Sequence, residues 1–318
     1  MMKRNGADPV GTWTTRQLLA WTQEHLAKKG VEDARLSAEM LLAHALGVPR
    51  LKLFMEQDRP ASELERVTFR ELVKRADGHE PVDYIVGHAP FFSMMLKVNS
   101  TSLIPRPSTE TLVEHVVQHA RHTQGFHHPR IADIGTGCGP IALALAKHIP
   151  NCHIIATDIS AASLELAKEN AAAYGLLDRI EFRQGNLYAP LETQLKALGP
   201  PVNVSQSSIG HTSEQVQYLL SNPPYISDEQ WQHVAPNIRK YEPHSALRGG
   251  EDGLKYIRPL IEQAHSYLAS PGQLLLEIAA SQKQVVLRLI DEATGLTNPH
   301  VLTDHEGLPR VLVADKLI

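Results

Sequence analysis

Four consecutive residues, Asn222-Pro223-Pro224-Tyr225, carry the groups needed to grip a planar –NH2. They follow the apolar run Val216–Ser221, which reads as a strand and places them in the loop at its C-terminal end. In an open α/β sheet that is where ligands bind. Proline lacks an N–H, has a fixed φ and pushes the preceding residue into an extended conformation. Asn222 and Pro223 both precede a proline, so the loop is stiff and its carbonyls have no neighbouring N–H to pair with. The Asn222 side-chain oxygen and the Pro223 carbonyl can each accept one hydrogen of a single –NH2. Tyr225 can lie flat against the planar group that carries it, with Pro224 stiffening the wall. Such a holder suits an amide or amino nitrogen about to be alkylated. The competing reading is a plain proline turn, because Asn-Pro and Pro-Pro are ordinary turn dipeptides.

A second cluster lies upstream. Residues 131–134 read as a buried strand and run into Gly135-Thr136-Gly137-Cys138-Gly139, then Pro140 and an apolar helix pattern. A strand, a glycine-rich turn and a helix N-terminus form a nucleotide-type site, because glycine lets the backbone approach a ligand closely. The dinucleotide fingerprint needs Gly-x-Gly-x-x-Gly. Here the third glycine comes one residue early and Pro140 stands in its place. Proline suits the first helical turn. The pattern is the Gly-x-Gly-x-Gly loop typical of S-adenosylmethionine enzymes, with Gly135, Thr136, Gly137, Cys138 and Gly139 as candidate cofactor contacts. About twenty residues on, Asp158 ends a second strand and can accept both ribose hydroxyls of an adenosine. The alternative for Asp158 is a helix N-cap, a role for which Ser160 competes. A third strand, 180–183, leads to Asn186 and Leu187, at the strand end that flanks the adenine.

On these motifs the chain resembles the N5-glutamine methyltransferases that modify the Gly-Gly-Gln motif of peptide-chain release factors. The resemblance extends over nearly the whole length, through residues 80–87, 103–110, 241–253 and 274–278. The tetrapeptide is shared with DNA adenine and RNA guanine methyltransferases. The segment Pro105-Arg106-Pro107-Ser108-Thr109-Glu110 is more specific, since a sister family acting on a ribosomal protein tends to read Pro-Arg-Ser-Pro there. The resemblance implies an α/β, Rossmann-like class I methyltransferase sheet with a small N-terminal helical domain. It implies S-adenosylmethionine as cofactor and a release factor as protein partner. It also implies Asn222, Pro223 and Tyr225 as catalytic residues and Asn222 as a cofactor contact. Asn222, Pro223, Pro224, Tyr225 and Arg106 become the substrate contacts. Arg106, extended between two prolines, is expected either to reach the cofactor carboxylate or substrate backbone or to form a surface salt bridge. Two departures stand out. Asn186 replaces the family's usual Asp, which removes a charged acceptor near the adenine. The connection between Leu187 and Asn222 is unusually long and includes residues 199–210, expected to form a surface loop.

Bulk properties narrow the class. The chain has 318 residues, 42% apolar, enough for one large domain plus a small one. A formal net charge of -4 offers no global attraction to nucleic acid. Cys138 and Cys152 form no metal spacing, and no metal is expected. No signal peptide or membrane-length apolar run is evident, so the cytoplasm is the expected compartment.

Three parts are expected: a helical substrate-recognition domain over 1–88, a β-hairpin linker over 89–104 and a methyltransferase domain over 105–318. In the first, Thr14 or Thr15 caps a helix running toward Gly30, and Asp33 precedes a helix stopped by Gly47. Ser62-x-x-Glu65 has capping-box form and opens a helix ending near Gly78. Leu64, Val67, Phe69, Leu72 and Val73 form its expected core stripe. Residues 91–98 read as a hairpin, and alternating strands and helices then signal a parallel sheet closed by an antiparallel pair. The seventeen histidines are read as mostly solvated.

An amide nitrogen is a poor nucleophile because its lone pair is shared with the carbonyl. Two fixed acceptors would steer it toward the methyl and stabilise the positive charge that builds on it. No strong base is needed, because an N-alkylated amide cation is very acidic, so no catalytic His or Glu is nominated and Glu277 is read as structural. Two other readings remain. An exocyclic-amine methyltransferase acting on a nucleobase would require a basic groove beside Tyr225. A silent adenosine-binding module would show decay in the glycine loop or the tetrapeptide, and both are intact.

Overall fold

The computed structural model describes residues 13–123, 126, 128–193, 212–213 and 215–317. The chain divides into two compact units. One is Met1–Gly87 together with Ala235–Tyr241; the other is His88–Val234 together with Glu242–Ile318.

In the first unit five helices follow in order: α1 Thr15–Lys28, α2 Ala34–Leu46, α3 Arg50–Met55, α4 Glu63–Asp77 and α5 Val82–Val86. Thr14 caps α1 and Ser62 caps α4, each in a full capping box with Gln17 or Glu65. Either cap contributes about 1 kcal/mol by satisfying orphan N–H groups. Gly47 ends α2 at φ 63°, the left-handed conformation that glycine adopts without strain. Leu18, Leu26, Leu41, Leu42, Leu53 and Phe69 are among the residues that close the core. The expected stripe on α4 is corrected here. Phe69, Leu72, Val73 and Ala76 are buried, but Leu64 is 76% and Val67 45% exposed. The reason is angular: 69, 72, 73 and 76 share one face at 3.6 residues per turn, and 64 and 67 lie off it.

The second unit opens with a hairpin, β1 His88–Phe91 paired antiparallel to β2 Met94–Lys97. Phe92 and Ser93 turn it, both with positive φ, as a two-residue hairpin loop demands. The hairpin therefore begins three residues before the expected 91. Then come α6 Pro107–His122, β3 Arg130–Ile134, α7 Pro140–His148, β4 His153–Asp158, α8 Ala161–Ala173 and β5 Ile180–Gln184. A short pair, β6 Glu192–Thr193 and β7 Thr212–Ser213, brackets the long connection. The surface loop expected over 199–210 lies outside the described residues. The chain resumes with β8 Val216–Ser221, two short helices, α9 Asp228–Trp231 and α10 Pro236–Tyr241, and α11 Ile257–Tyr267. It closes with β9 Leu268–Glu277, α12 Lys283–Glu292, β10 Leu296–Thr303 and β11 Pro309–Lys316. Helix α10 belongs to the first unit, where Tyr241 Oη donates to the Gly78 carbonyl at 2.9 Å.

Seven strands form one sheet in the order β10-β11-β9-β8-β3-β4-β5. β9, β8, β3, β4 and β5 run parallel, β11 pairs antiparallel to β9, and β10 antiparallel to β11. The central strands are buried on both faces. Ile131, Tyr218 and Leu275 face α6 and α7, whereas Ala132, Leu219, Leu274 and Leu276 face α11 and α12. The chain order reverses at β3, between β4 on one side and β8 on the other. That is the switch point at which an open sheet binds ligands beyond its strand C-termini. Among the described residues no helix is long and apolar enough to cross a membrane.

Several histidines depart from the solvated reading, two of them on α6. His115 and His119 on α6 stack with ring centroids 5.9 Å apart. His115 Nε2 lies 3.3 Å from Gln273 Oε1, and His119 Nδ1 lies 2.6 Å from Tyr218 Oη. Burial pushes both imidazoles below the usual 6.5. His127 lies outside the described residues, and His128 is exposed.

The two α6 imidazoles bind protons less readily in the folded chain than in the unfolded one. These groups fold neutral, so the unfolded chain binds more protons just below pH 6.5. Their contribution is complete above about 6.5 and is lost as pH falls below it. A His115→Gln/His119→Phe variant should therefore lose less melting temperature than the parent between pH ~7.5 and ~5.5. Equal losses in a thermal melt series would remove the pair from the acid sensitivity of the fold.

Candidate active site

The glycine loop crosses from β3 to α7 directly over the sheet. The Gly135 and Thr136 amides both donate to the Thr157 carbonyl at 2.8 Å, which pins the loop to β4. Gly137 has φ 59°, and a Cβ built there would meet only Ser102 Cβ, at 3.9 Å. Nothing lies within 4 Å of a Cβ at Gly135. These two positions thus leave open a cradle that a side chain would fill, the shape a bound nucleoside needs. Gly139 serves packing instead. A Cβ there would fall 2.4 Å from Leu143 Cδ1 and 3.3 Å from Ala167 Cβ, so its absence lets α7 close against α8.

The other two loop side chains point into the protein. Thr136 Oγ1 donates to Asp133 Oδ2 at 2.6 Å, and the Ala142 amide donates to the same oxygen at 3.2 Å. Asp133 is fully buried; desolvation pushes its pKa up to about 7 against those two bonds. Cys138 is buried as well, and desolvation pushes its thiol up to about 11, which leaves it protonated and unreactive. Thr136 and Cys138, expected as cofactor contacts, can offer only their backbone.

Asp158 ends β4 beside Gly137. Its Oδ2 accepts from the Gly137 amide at 2.9 Å and its Oδ1 from the Ser160 amide at 2.8 Å. The N-cap role expected to compete falls to Ser160, whose Oγ accepts from the Ser163 amide at 3.2 Å. Each Asp158 oxygen keeps a lone pair for a further donor. Its pKa is raised by burial, opposed by backbone hydrogen bonds. Asn186 is exposed at the end of β5. Leu187, at φ 48°, turns partly into the core that faces α11.

The tetrapeptide lies at the end of β8, next to β3. Ser221 Oγ donates to the Ile134 carbonyl at 2.7 Å and locks the two strand ends together. Asn222 Nδ2 donates to Thr109 Oγ1 at 3.1 Å, and Thr109 Oγ1 donates to Glu277 Oε2 at 2.6 Å. Glu277 Oε1 accepts from Ser108 Oγ at 3.2 Å and is 3.5 Å from Tyr225 Oη. Glu277 is fully buried, and its pKa is raised by that burial. The Tyr225 phenol is pushed up for the same reason, with Glu277 adding to it, so it stays protonated. Among the described residues no donor reaches Asn222 Oδ1 or the Pro223 carbonyl.

Residues 242–253, notable in the sequence only through the resemblance, hold this loop from beneath. The Ile226 amide donates to the Leu247 carbonyl at 3.0 Å, and the Gly249 amide returns to Ile226 at 2.8 Å. A Cβ at Gly249 would strike the Pro224 carbonyl at 2.7 Å, and one at Gly253 the Tyr225 carbonyl at 2.4 Å. Gln282 Nε2 ties the Tyr225 carbonyl to that of Gly253. Arg106 does not stand free for a ligand. Its Nη2 donates to buried Glu242 at 2.5 Å, and Glu242 also accepts from the Ile104 amide at 3.2 Å. Glu110 accepts from the Phe92 amide at 2.8 Å and steadies the hairpin turn.

With this geometry established, the chain can be set beside known proteins. Residues 17–87 match the model of the PrmC N-terminal domain, and residues 106–240 match the methyltransferase small domain. A release factor glutamine methyltransferase of Rhodopirellula baltica is 35% identical over 96% of this chain and 97% of its own. Its counterpart in Geobacter sulfurreducens is 35% identical over 94% of this chain and 96% of its own. The one in Chlorobaculum tepidum is 33% identical over 94% and 96%.

The cradle generates a binding prediction. Asp158→Ala should weaken S-adenosylmethionine binding roughly 10- to 100-fold, the effect of losing a charged acceptor worth about 1.5–3 kcal/mol. Gly137→Val should abolish binding, because the new side chain enters the open space and φ 59° strains it. Unchanged affinity of both variants in titration calorimetry would place the cofactor elsewhere.

Proposed function

The chain belongs to the release factor glutamine methyltransferase family, and on that premise we propose how its residues carry out the transfer. The acceptor is the side-chain amide nitrogen, N5, of the glutamine in the Gly-Gly-Gln motif of a peptide-chain release factor. The observation that carries this reading is a pair of acceptors, Asn222 Oδ1 and the Pro223 carbonyl, unengaged among the described residues, on a stiff loop beside the open glycine cradle.

S-adenosylmethionine, which Gly135, Gly137 and Asp158 would hold with Asn186 and Leu187 at the adenine end, would supply a methyl already activated by its sulfonium, the broken C–S bond leaving its electron pair on sulfur as a neutral thioether. What the chain itself must control is the nitrogen. Asn222 Oδ1 and the Pro223 carbonyl each accept one N–H and fix the –NH2. As positive charge develops on the nitrogen, both acceptors stabilise it without reorganising. Tyr225, tethered toward Glu277 and neutral, forms a flat wall with Pro224 against the amide plane. Positioning of this kind lowers a barrier by about 7 kcal/mol or more in favourable models. The N–H proton then leaves to water, because an N-alkylated amide cation is a strong acid. Arg106 acts at one remove, since its bond to Glu242 holds the segment that leads into α6.

The helical unit serves recognition of the whole factor. It exposes Leu51, Met55 and Leu64. The compartment is the cytoplasm, where release factors act. The net charge of -4 argues against a nucleic-acid acceptor.

Asn222→Ala should leave cofactor affinity nearly unchanged and lower kcat roughly 10²–10³-fold, as for one lost preorganised transition-state hydrogen bond. With labelled S-adenosylmethionine, methyl should appear on the glutamine of a purified release factor and not on total tRNA or DNA. A short Gly-Gly-Gln peptide should be a much poorer substrate than the factor, because remote contacts contribute to the transition state. Label found on a nucleobase, or equal rates on peptide and factor, would overturn the reading.

A further inference from the structure

An Asn amide can sit two ways round, and only one presents oxygen to a substrate –NH2. In this fold a chain of one-way hydrogen bonds decides between them. Glu277, as a carboxylate, can only accept. Thr109 has a single hydroxyl hydrogen and gives it to Glu277 Oε2 at 2.6 Å. Its oxygen is then left with lone pairs only on the side facing Asn222, so Asn222 must meet it with Nδ2, as it does at 3.1 Å. Oδ1 is thereby turned away from Thr109. Ser108 Oγ at 3.2 Å occupies the second Glu277 oxygen, and Tyr225 Oη lies 3.5 Å from the same atom. Thr109 and Glu277 are both buried, so water does not compete for these bonds.

We propose that Thr109, oriented by Glu277, is a positioning residue that fixes which way round the Asn222 amide sits and so makes the site select an amide –NH2 over a carboxylate. The inference rests on the role given to Asn222 above. Its consequence is a specificity device. With Oδ1 toward the slot, a glutamine is accepted and the isosteric glutamate meets two lone pairs. With the amide free to turn, Nδ2 can face the slot, and a glutamate oxygen becomes a good partner.

The test measures kcat, KM for the release factor and cofactor affinity for Thr109→Val, Thr109→Ser and Glu277→Gln, alongside thermal melts. Thr109→Val removes the hydroxyl at nearly constant shape. It should lower kcat roughly 10- to 100-fold, as misplaced reacting groups do, with cofactor affinity within about twofold. Thr109→Ser should restore most of the rate. Glu277→Gln can donate to Thr109, which frees the hydroxyl hydrogen for Asn222 Oδ1, and it should behave like Thr109→Val. A release factor carrying Gly-Gly-Glu should inhibit Thr109→Val more strongly than it inhibits the parent, an effect that simple loosening of the site does not produce. In an Asn222→Ala background, Thr109→Val should cost nothing further, since its action passes through Asn222. Parental turnover in folded Thr109→Val, or penalties that multiply with Asn222→Ala, would overturn the proposal. If the substituted proteins fail to fold, a structure of the parent with the substrate glutamine bound decides it: Oδ1 toward the substrate nitrogen supports it and Nδ2 overturns it. If the parent transfers no methyl to a release factor, it is the functional reading that fails.

Discussion

Glu277 is a carboxylate with no access to water, and the surrounding site is arranged around that fact. An ionised group in such a place needs hydrogen-bond donors. They come from the first turn of α6, where Ser108 and Thr109 reach its two oxygens. The N-terminal end of that helix favours negative charge as well. The Tyr225 hydroxyl lies 3.5 Å away on the loop after β8. One buried charge at the end of β9 therefore brings together elements far apart in the chain. Because a carboxylate only accepts, it also sets the direction of every bond around it. Asn222 is the outermost link of that set, and among the described residues no donor reaches its Oδ1.

A second constraint is close backbone approach. The segment after Glu242 runs so near the tetrapeptide that Gly249 and Gly253 leave no room for a Cβ between it and the Pro224 and Tyr225 carbonyls. Gln282, just ahead of α12, bridges the Tyr225 and Gly253 carbonyls. At its other end Glu242 holds Ile104 and Arg106, the approach to α6. The loop is thus supported from below by backbone and from the side by a buried carboxylate. That accounts for how four residues with little regular structure can keep two acceptors in fixed positions. The glycine loop follows a related logic. Asp133 beneath it holds the Thr136 hydroxyl, Asp158 beside it holds the Gly137 amide, and the space over Gly135 and Gly137 stays open.

Much of this was legible in the sequence because the signals were local. A strand followed by Asn-Pro-Pro-Tyr, a Gly-x-Gly-x-Gly turn before a helix, and an acidic residue ending the next strand each combine residue type and backbone conformation within a few positions. The capping box at Ser62, a cap at Thr14 or Thr15, and the alternation of strands and helices are local in the same sense. Those features determined the α/β class and mark the candidate cofactor loop and the candidate holder of the acceptor nitrogen. What the sequence left undecided depends on which face a side chain takes or on partners far along the chain. Leu64 and Val67 are as apolar as Phe69, and only the helix's angular setting against its core exposes them. Thr136 and Cys138 sit inside the binding motif, yet both side chains turn inward. Arg106 left a ligand contact and a surface salt bridge equally open, and its partner is the buried Glu242, while Thr109 gave no sign of meeting an asparagine more than a hundred residues later. Tertiary structure alone decided these, because a hydrogen bond's direction and a side chain's burial are properties of the neighbours that folding supplies.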